Sequence, residues 1–283
     1  MGFDLATIQF LAGSKDLGVS LDRVLTLGRQ WMYVKPSEVR PLLAHNGIKL
    51  SGEETNRLFA DDGYCEPLLK LLGANRIDSM DVSAYENATI IHDLNQPWPE
   101  ALHDRFSLVL DGGTLEHVFD FPTALRNCMQ AVAPGGHFVC VTPTNNVMGH
   151  GFYQFSPELF FRVFTPENGF EIERLLLYEQ PWASVWYEVG DPNRIRSRVE
   201  LVNNRPTYLI VCARKIASVA LAHAPVQSDY PFLYWKQSAG PDTAKMKPVP
   251  TTSFIKRHSP EWVAKWYRRL RPLRPPYFKK VRC

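Results

Sequence analysis

Short apolar runs alternate with amphipathic stretches along most of this chain. Arg23–Gly28 (RVLTLG) predicts a first buried strand. A run this short and apolar suits a strand covered on both faces. Pro36 suits the first turn of a helix over Ser37–Asn46. Glu66–Leu72 (EPLLKLL) predicts a second helix, stopped by Gly73. Strands follow at Arg76–Val82, Ala88–His92 and Phe106–Asp111, and then a helix over Phe121–Val132. Pro134-Gly135-Gly136 predicts a turn and Gly136–Thr142 a fifth strand. Ser156, Pro157 and Glu158 open another helix, with serine as N-cap and proline in the first turn. Phe170–Tyr178 and Thr207–Ala213 predict two late strands.

Strands separated by helices describe an α/β domain with a doubly wound, mostly parallel sheet and helices on both faces. Its ligand belongs beyond the carboxyl ends of the strands, near the point where strand order reverses. This domain takes in residues 1–215. Residues 216–255, rich in Ala, Pro, Ser and Thr, predict a linker or wrapping arm. Residues 256–283 form a basic, aromatic C-terminal segment, and no internal repeat is visible.

Charge sharpens that division. The 283 residues carry 32 Lys/Arg and 29 Asp/Glu, a formal net charge of +3. Ten of the bases and only one acid, Glu261, lie in Lys256–Cys283, so the rest of the chain is net acidic. An acidic body argues against a general nucleic-acid binder. In the tail, Ser259-Pro260-Glu261 predicts a helix over 260–270, with Trp262, Trp266 and Leu270 in one stripe among arginines. Docking within the molecule or an oligomer, or on an anionic membrane surface, fits that chemistry. Nucleic acid is the least favoured partner. The 45% hydrophobic share is ordinary for a soluble globule, and no apolar run approaches the roughly 18 residues of a membrane span. MGFDLATIQF lacks the pattern of a signal peptide, and Ala6 stands where a myristoylation motif wants Ser or Thr. Cys128, Cys140 and Cys212 sit in apolar segments without any CxxC, which suggests buried free thiols and a cytoplasmic setting, with a membrane-peripheral one left open.

The chemistry collects at strand ends. The second strand ends in MDVS with Asp81, the third in HDLN with Asp93, and the fourth in LDGGTLEHV with Asp111. A carboxylate past a second strand can accept from both hydroxyls of a ribose. One past the third can accept from an exocyclic amine. Gly112 and Gly113 allow close backbone approach to a ligand.

MDVS (80–83), IIHDLN (90–95), FSLVLDGGTLEHVFD (106–120) and AVAPGGHFVCVTP (131–143), in this order and spacing, resemble the class I S-adenosylmethionine (SAM)-dependent methyltransferases that act on small molecules and carry LEHV after strand four. The resemblance spans about residues 20–215. It implies a Rossmann-like, mostly parallel seven-stranded sheet with an antiparallel last strand, and SAM as cofactor. It places Gly28, Asp81, Asp93, Leu94, Asp111, Gly112 and Gly113 at that cofactor. It further implies methyl transfer to an oxygen or nitrogen of a small polar acceptor, a sugar being one candidate.

One segment departs from the family. A GxGxG run normally follows the first strand, whereas this chain reads TLGRQWMYV, with Arg29 and Gln30 where glycines are expected. Between Gly28 and Asp81 lie 52 residues, against roughly 20 in the usual pattern. The expectation is a remodelled loop in which Arg29, Gln30 or the Gly63-Tyr64 turn faces the methionyl end, with Arg29 pairing its carboxylate. The departure also motivates an alternative, a binding or scaffold protein of this fold without catalysis. An NAD-linked Rossmann enzyme fits the strand order and the LEHV region less well. For the acceptor, TPTNNVMGHGFYQFSPELF (142–160) puts Asn145, Asn146, His150, Tyr153 and Gln154 on one loop, with Phe152 and Phe155 as anchors. His150 is the preferred general base and His117 the second candidate. No HxxH or HxxxH follows Glu116-His117, so no metal is expected.

Overall fold

The computed structural model describes residues 2–60, 62–181, 185–220, 225–229 and 277–281. The chain opens with β1 (Gly2–Phe3) and helix α1 (Leu5–Gly13), neither marked by a clear period in the sequence. The first expected strand is β2 (Arg23–Leu27); β3 (Trp31–Met32) then pairs with β1 in a separate two-stranded ladder. Three helices follow, α2 (Pro36–His45), α3 (Gly52–Arg57) and α4 (Glu66–Leu71). Next come β4 (Arg76–Asp81), β5 (Ile90–Ile91), β6 (Phe106–Asp111), helix α5 (Phe121–Ala131) and β7 (Val132–Asn145). Helix α6 (Pro157–Val163), β8 (Phe170–Glu179), β9 (Trp186–Val189), helix α7 (Pro192–Ile195), β10 (Thr207–Lys215) and β11 (Phe278–Val281) complete the described chain.

The main sheet has the order β11-β9-β8-β10-β7-β6-β2-β4-β5. The strands from β7 to β5 are parallel, and β10 runs antiparallel to both β7 and β8. These seven strands are the sheet that the resemblance implies. Two further antiparallel strands, β9 and β11, extend one edge to nine. Residues 278–281 were expected in a separate tail and instead close this edge. The exposed lysines of β11, Lys279 and Lys280, suit an edge strand that must not pair further. The expected helix over 260–270 and most of the expected linker lie outside the described residues.

Alternating side chains supply both faces of the sheet. Phe106 and Val109 of β6 and Phe138 and Cys140 of β7 join a core with Leu125, Cys128 and Met129 of α5 and Phe160 of α6. Leu108, Leu110, Val139 and Val141 point the other way, onto Leu11 of α1, Leu43 of α2 and Leu69 of α4. Full burial of each such Leu or Val stabilises the fold by about 1.5–3 kcal/mol. Four cysteines, Cys65, Cys128, Cys140 and Cys212, are buried free thiols. Among the described residues, no helix is long and apolar enough to cross a membrane.

Two local differences from the expected pattern have physical causes. The expected strand at 88–92 shortens to two residues because Thr89 and Ser79 exchange backbone-to-hydroxyl bonds where the ladder would continue. Pro134-Gly135-Gly136 is a bulge inside β7, not a turn before it: Phe106 pairs with Val132, but Leu108 pairs with His137. Gly136 permits the bulge, since a Cβ there would lie 2.8–3.1 Å from the carbonyl oxygens of Ser107, Ala133 and Phe106.

Backbone oxygens cannot swing aside as a side chain can. Gly136→Ala should therefore lower stability by about 1–3 kcal/mol in urea unfolding. Gly149→Ala, with nothing within 4 Å of the new methyl, should stay within about 0.5 kcal/mol of wild type. Equal effects at the two positions would contradict the packing argument.

Candidate functional site

The chain leaves β2 for β4 and β5 on one side and returns to β6 and β7 on the other. The reversal falls between β2 and β6, and the candidate residues gather at the carboxyl ends beside it. Gly28 ends β2 with φ 68° and donates its N–H to Met80 O at 2.7 Å, next to the end of β4. Asp81 ends β4, half-buried, with its carboxylate accepting from Ser83 N at 3.1 Å. Asp93 follows β5; its carboxylate accepts from Asn95 N and Nδ2 at 2.9 and 2.8 Å, and these bonds hold it below the usual Asp value. Leu94 is buried in the core beneath it.

Asp111 occupies the end of β6 in a different manner from that expected. It is 0% exposed, with Oδ1 accepting from Thr114 N at 2.7 Å and Oδ2 from Cys140 Sγ at 3.1 Å. Burial raises its pKa against those bonds. The carboxylate therefore has no exposed surface to offer a ligand; of the two glycines that follow, Gly112 is buried under Gln30 and Phe3, and Gly113 reaches the surface. Gly113, half-buried with φ 95°, requires a backbone that L side chains rarely adopt.

The remodelled loop also differs from its expected role. The Arg29 guanidinium lies 3.9 Å above the Tyr64 ring, and Nε donates to Glu66 Oε1 at 2.6 Å. Its partner here is a carboxylate of the protein itself, that of Glu66. Gln30 is fully buried, its Nε2 donating to Leu27 O and its Oε1 without a hydrogen bond. A Cβ on Gly112 would collide with that amide at 2.4 Å. Gln30 therefore packs behind the strand end and does not face a ligand. Gly63 abuts Trp31, whose Nε1 donates to Asp62 O at 2.7 Å.

The acceptor loop folds onto the turn after β6. Phe152 N and Tyr153 N both donate to Glu116 O, at 2.7 and 3.2 Å. Gly151 has φ 71°, and a Cβ there would lie 2.7 Å from the same oxygen. Tyr153 OH donates to Phe119 O at 2.7 Å, and Gln154 Oε1 accepts from Val147 N at 3.0 Å. Asn145 and Asn146 bond to Asn203, and Asn146 also to Arg205 O. Four of the five residues expected to contact substrate thus pin the loop. Phe155 is a buried anchor, but Phe152 is exposed and meets Phe119 edge-on at 6.0 Å.

The fifth residue, His150, is brought to the Glu116-His117 pair. Its Nε2 lies 3.4 Å from Glu116 Oε1, and its ring centroid 4.9 Å from that of His117. Glu116 is 0% exposed, whereas His150 keeps 46% of its side-chain surface and His117 is exposed. Thr142 donates to Glu116 Oε2 at 3.2 Å. Burial first, and then the nearby Asp111, push the Glu116 carboxyl up to about 8. Partial desolvation and then His150 pull His117 below the usual imidazole value. Glu116 and Thr142 were not among the expected site residues; the Glu-His pair hinted at the first, and nothing in the spacing marked the second. Donor atoms of Glu116, His117 and His150 lie within 4.8 Å of one another. His137, Glu173 and Cys212 form a second such group, but Arg214 Nε already lies 3.2 Å from the Glu173 carboxylate and supplies its countercharge.

No family model matches the chain, and no curated protein matches it. Solved structures do. An S-adenosylmethionine-dependent methyltransferase from Mesorhizobium loti is 16% identical, over 75% of this chain and 100% of that one, with a TM-score of 0.42. The 1,6-didemethyltoxoflavin-N1-methyltransferase of Burkholderia thailandensis, solved with S-adenosylhomocysteine, is 14% identical over 76% and 80%, with a TM-score of 0.40. A branched-chain polyamine synthase from Thermus thermophilus is 14% identical over 79% and 60%, with a TM-score of 0.36. Likenesses this distant assign no activity, so the functional argument rests on the residues.

The buried carboxyl has a consequence for stability. Folded, Glu116 keeps its proton up to about pH 8; unfolded, it loses it near 4.5. The folded state binds more protons in that window, so this group's contribution to stability falls as pH rises through it. Glu116→Gln, neutral throughout, should remove that fall, making the variant gain on wild type between pH 5 and pH 8 by on the order of a few kcal/mol. Chemical unfolding at both pH values in chelator-containing buffer checks this; parallel pH dependence of the two proteins would refute it.

Proposed function

We propose that this chain binds SAM across the carboxyl ends of β2, β4, β5 and β6 and transfers its methyl group to an oxygen or nitrogen of a small polar acceptor. One observation carries the proposal: the strand-end glycines and the acid–histidine cluster are contiguous. A Cβ on Gly113 would lie 3.1 Å from Glu116 Oε1. A cofactor passing over Gly113 would therefore present its far end to Glu116, His117 and His150. In this reading Asp81 accepts from the ribose hydroxyls, and the backbone of the Asp93-Leu94 turn borders the adenine.

The sulfonium methyl is already activated, so the protein has mainly to align an acceptor and provide for its proton. The acceptor lone pair forms the new bond to carbon while the carbon–sulfur bond breaks, its electrons remaining on sulfur. The acceptor loses its proton at the Glu116–His117–His150 cluster, where the exposed imidazoles meet solvent. Cys128 and Cys140 are fully buried with thiols pushed up by desolvation, so neither is a nucleophile here. The exposed rings of Phe119 and Phe152 beside the cluster suit an acceptor with a ring face, a sugar among the candidates.

The second reading is a binding protein of the same fold without catalysis. It is favoured by the remodelled first loop, where Gln30 fills the space beside Gly112 and Arg29 is engaged with Glu66.

Calorimetric titration with SAM and with S-adenosylhomocysteine tests the proposal. Both should bind, and Asp81→Ala should weaken both by about tenfold, the equivalent of one charged hydrogen bond. His150→Ala should leave cofactor affinity near wild type and lower turnover once an acceptor is known. No binding of either ligand at millimolar concentration would end the enzyme reading.

A further inference from the structure

A doubly wound sheet takes its ligand where the strand order reverses, and at that point this structure is covered. Gly28 and Gly112, beside the ends of β2 and β6, are both buried. Two side chains close on Gly112: Phe3 of β1 and Gln30 of the first loop, each 0% exposed. The backbone of β1 reaches the same residue, with Gly2 N donating to Gly112 O at 3.0 Å. The cover is thus the ladder of β1 and β3, which stands apart from the main sheet. Tyr33 N, just past β3, donates to Phe3 O at 2.8 Å and completes it.

Opposing forces act on this ladder. Burial of the Phe3 ring favours the covered arrangement. Against it stands Gln30 Oε1, buried beside Gly112 without a hydrogen bond, an atom that water would satisfy if the ladder lifted. The fit at Gly2 is tight, since a Cβ there would overlap the Trp31 carbonyl oxygen. The next residue, Asp4, is fixed. Its Oδ1 accepts from Thr7 N at 2.9 Å and so caps α1, and its Oδ2 accepts from the buried Tyr178 hydroxyl at 2.8 Å. Residues 2 and 3 can therefore swing about Asp4 while α1 stays on the body.

We propose that β1 is a plug, which lifts from Gly112 to admit SAM, and that the covered arrangement is the closed state. What enters rests on the cofactor reading above; the lifting itself does not. A closed majority lowers the apparent affinity by the fraction of molecules that are open. The segment TLGRQWMYV then has a task of its own: it carries β3, which holds the plug in place. A fixed wall of the crevice would behave in the opposite way. Trimming a wall removes contacts to the ligand and weakens binding, whereas trimming a plug strengthens it.

Two measurements on the full chain test this. In the ligand-free native protein, amide hydrogen exchange is followed by NMR and corrected for intrinsic rates. The Tyr33 amide should exchange through local opening, at least about tenfold faster than the Gly28 amide, which bonds to Met80 O beside the main sheet. Tyr33 exchanging as slowly as Gly28 would overturn the proposal, and this measurement stands even where a variant is destabilised. In calorimetric titration with S-adenosylhomocysteine, Phe3→Ala and Gly2→Ala should each bind about tenfold more tightly than wild type. Unchanged or weaker binding in both would make β1 a wall and overturn the plug. Absence of binding in all three proteins would end the cofactor reading, and with it SAM as what the plug admits, while the exchange rates still decide the lifting.

Discussion

Glu116 is where the two halves of the site are joined. A carboxyl group with no exposed surface is costly unless its surroundings are built around it. Here its carbonyl oxygen receives two N–H groups from the loop after β7, and its side chain receives Thr142 from β7 itself. Asp111, one turn earlier, is likewise buried and adds unfavourable charge. Two carboxyls under one loop would be a poor way to stabilise a fold. They suit the proposed site, whose polar groups are held by loop N–H groups and by the side chains of Cys140 and Thr142, with the cost of burial offset by the apolar cores on either face.

The fold was legible because its signal is repeated. A strand buried on both faces is apolar at consecutive positions, as in RVLTLG, FSLVLD and GHFVCVT, and helices between such runs leave few arrangements. Short edge elements gave no comparable signal. WYEV and FKKV are brief, and the second carries the lysines that an edge strand tolerates and a core strand does not. The bulge at Gly135-Gly136 was read as a turn because glycines serve both purposes, and only the register tells them apart.

The site was legible in its location and much less in its roles. Strand-end residues can be named once the strands are known, and Gly28, Asp81 and Gly112-Gly113 do stand at strand ends. Which side chains face a ligand is decided by packing that a one-dimensional pattern does not hold. Asp111 turns inward to a thiol and a backbone amide, and Asn145 and Asn146 turn to the segment at 203–205. Nor does spacing along the chain show that His150 meets Glu116-His117: the topology brings it there, from a loop at the end of the adjacent strand.

That topology also bears on the missing glycine run. In a doubly wound sheet the first loop and the fourth strand end share one crevice, so a change in one can be matched in the other. Gln30 and Gly112 are such a pair: the amide takes the space that a side chain at 112 would need, and its own bonds go to Leu27 O and Thr114. The Thr114 hydroxyl donates to the same Leu27 oxygen at 2.6 Å, so the first strand is tied to the turn that carries Glu116. The usual glycines let a loop pass close to a cofactor; here a side chain instead braces the strand end. The loop has exchanged freedom for connection, and what it connects to is the acid–histidine cluster.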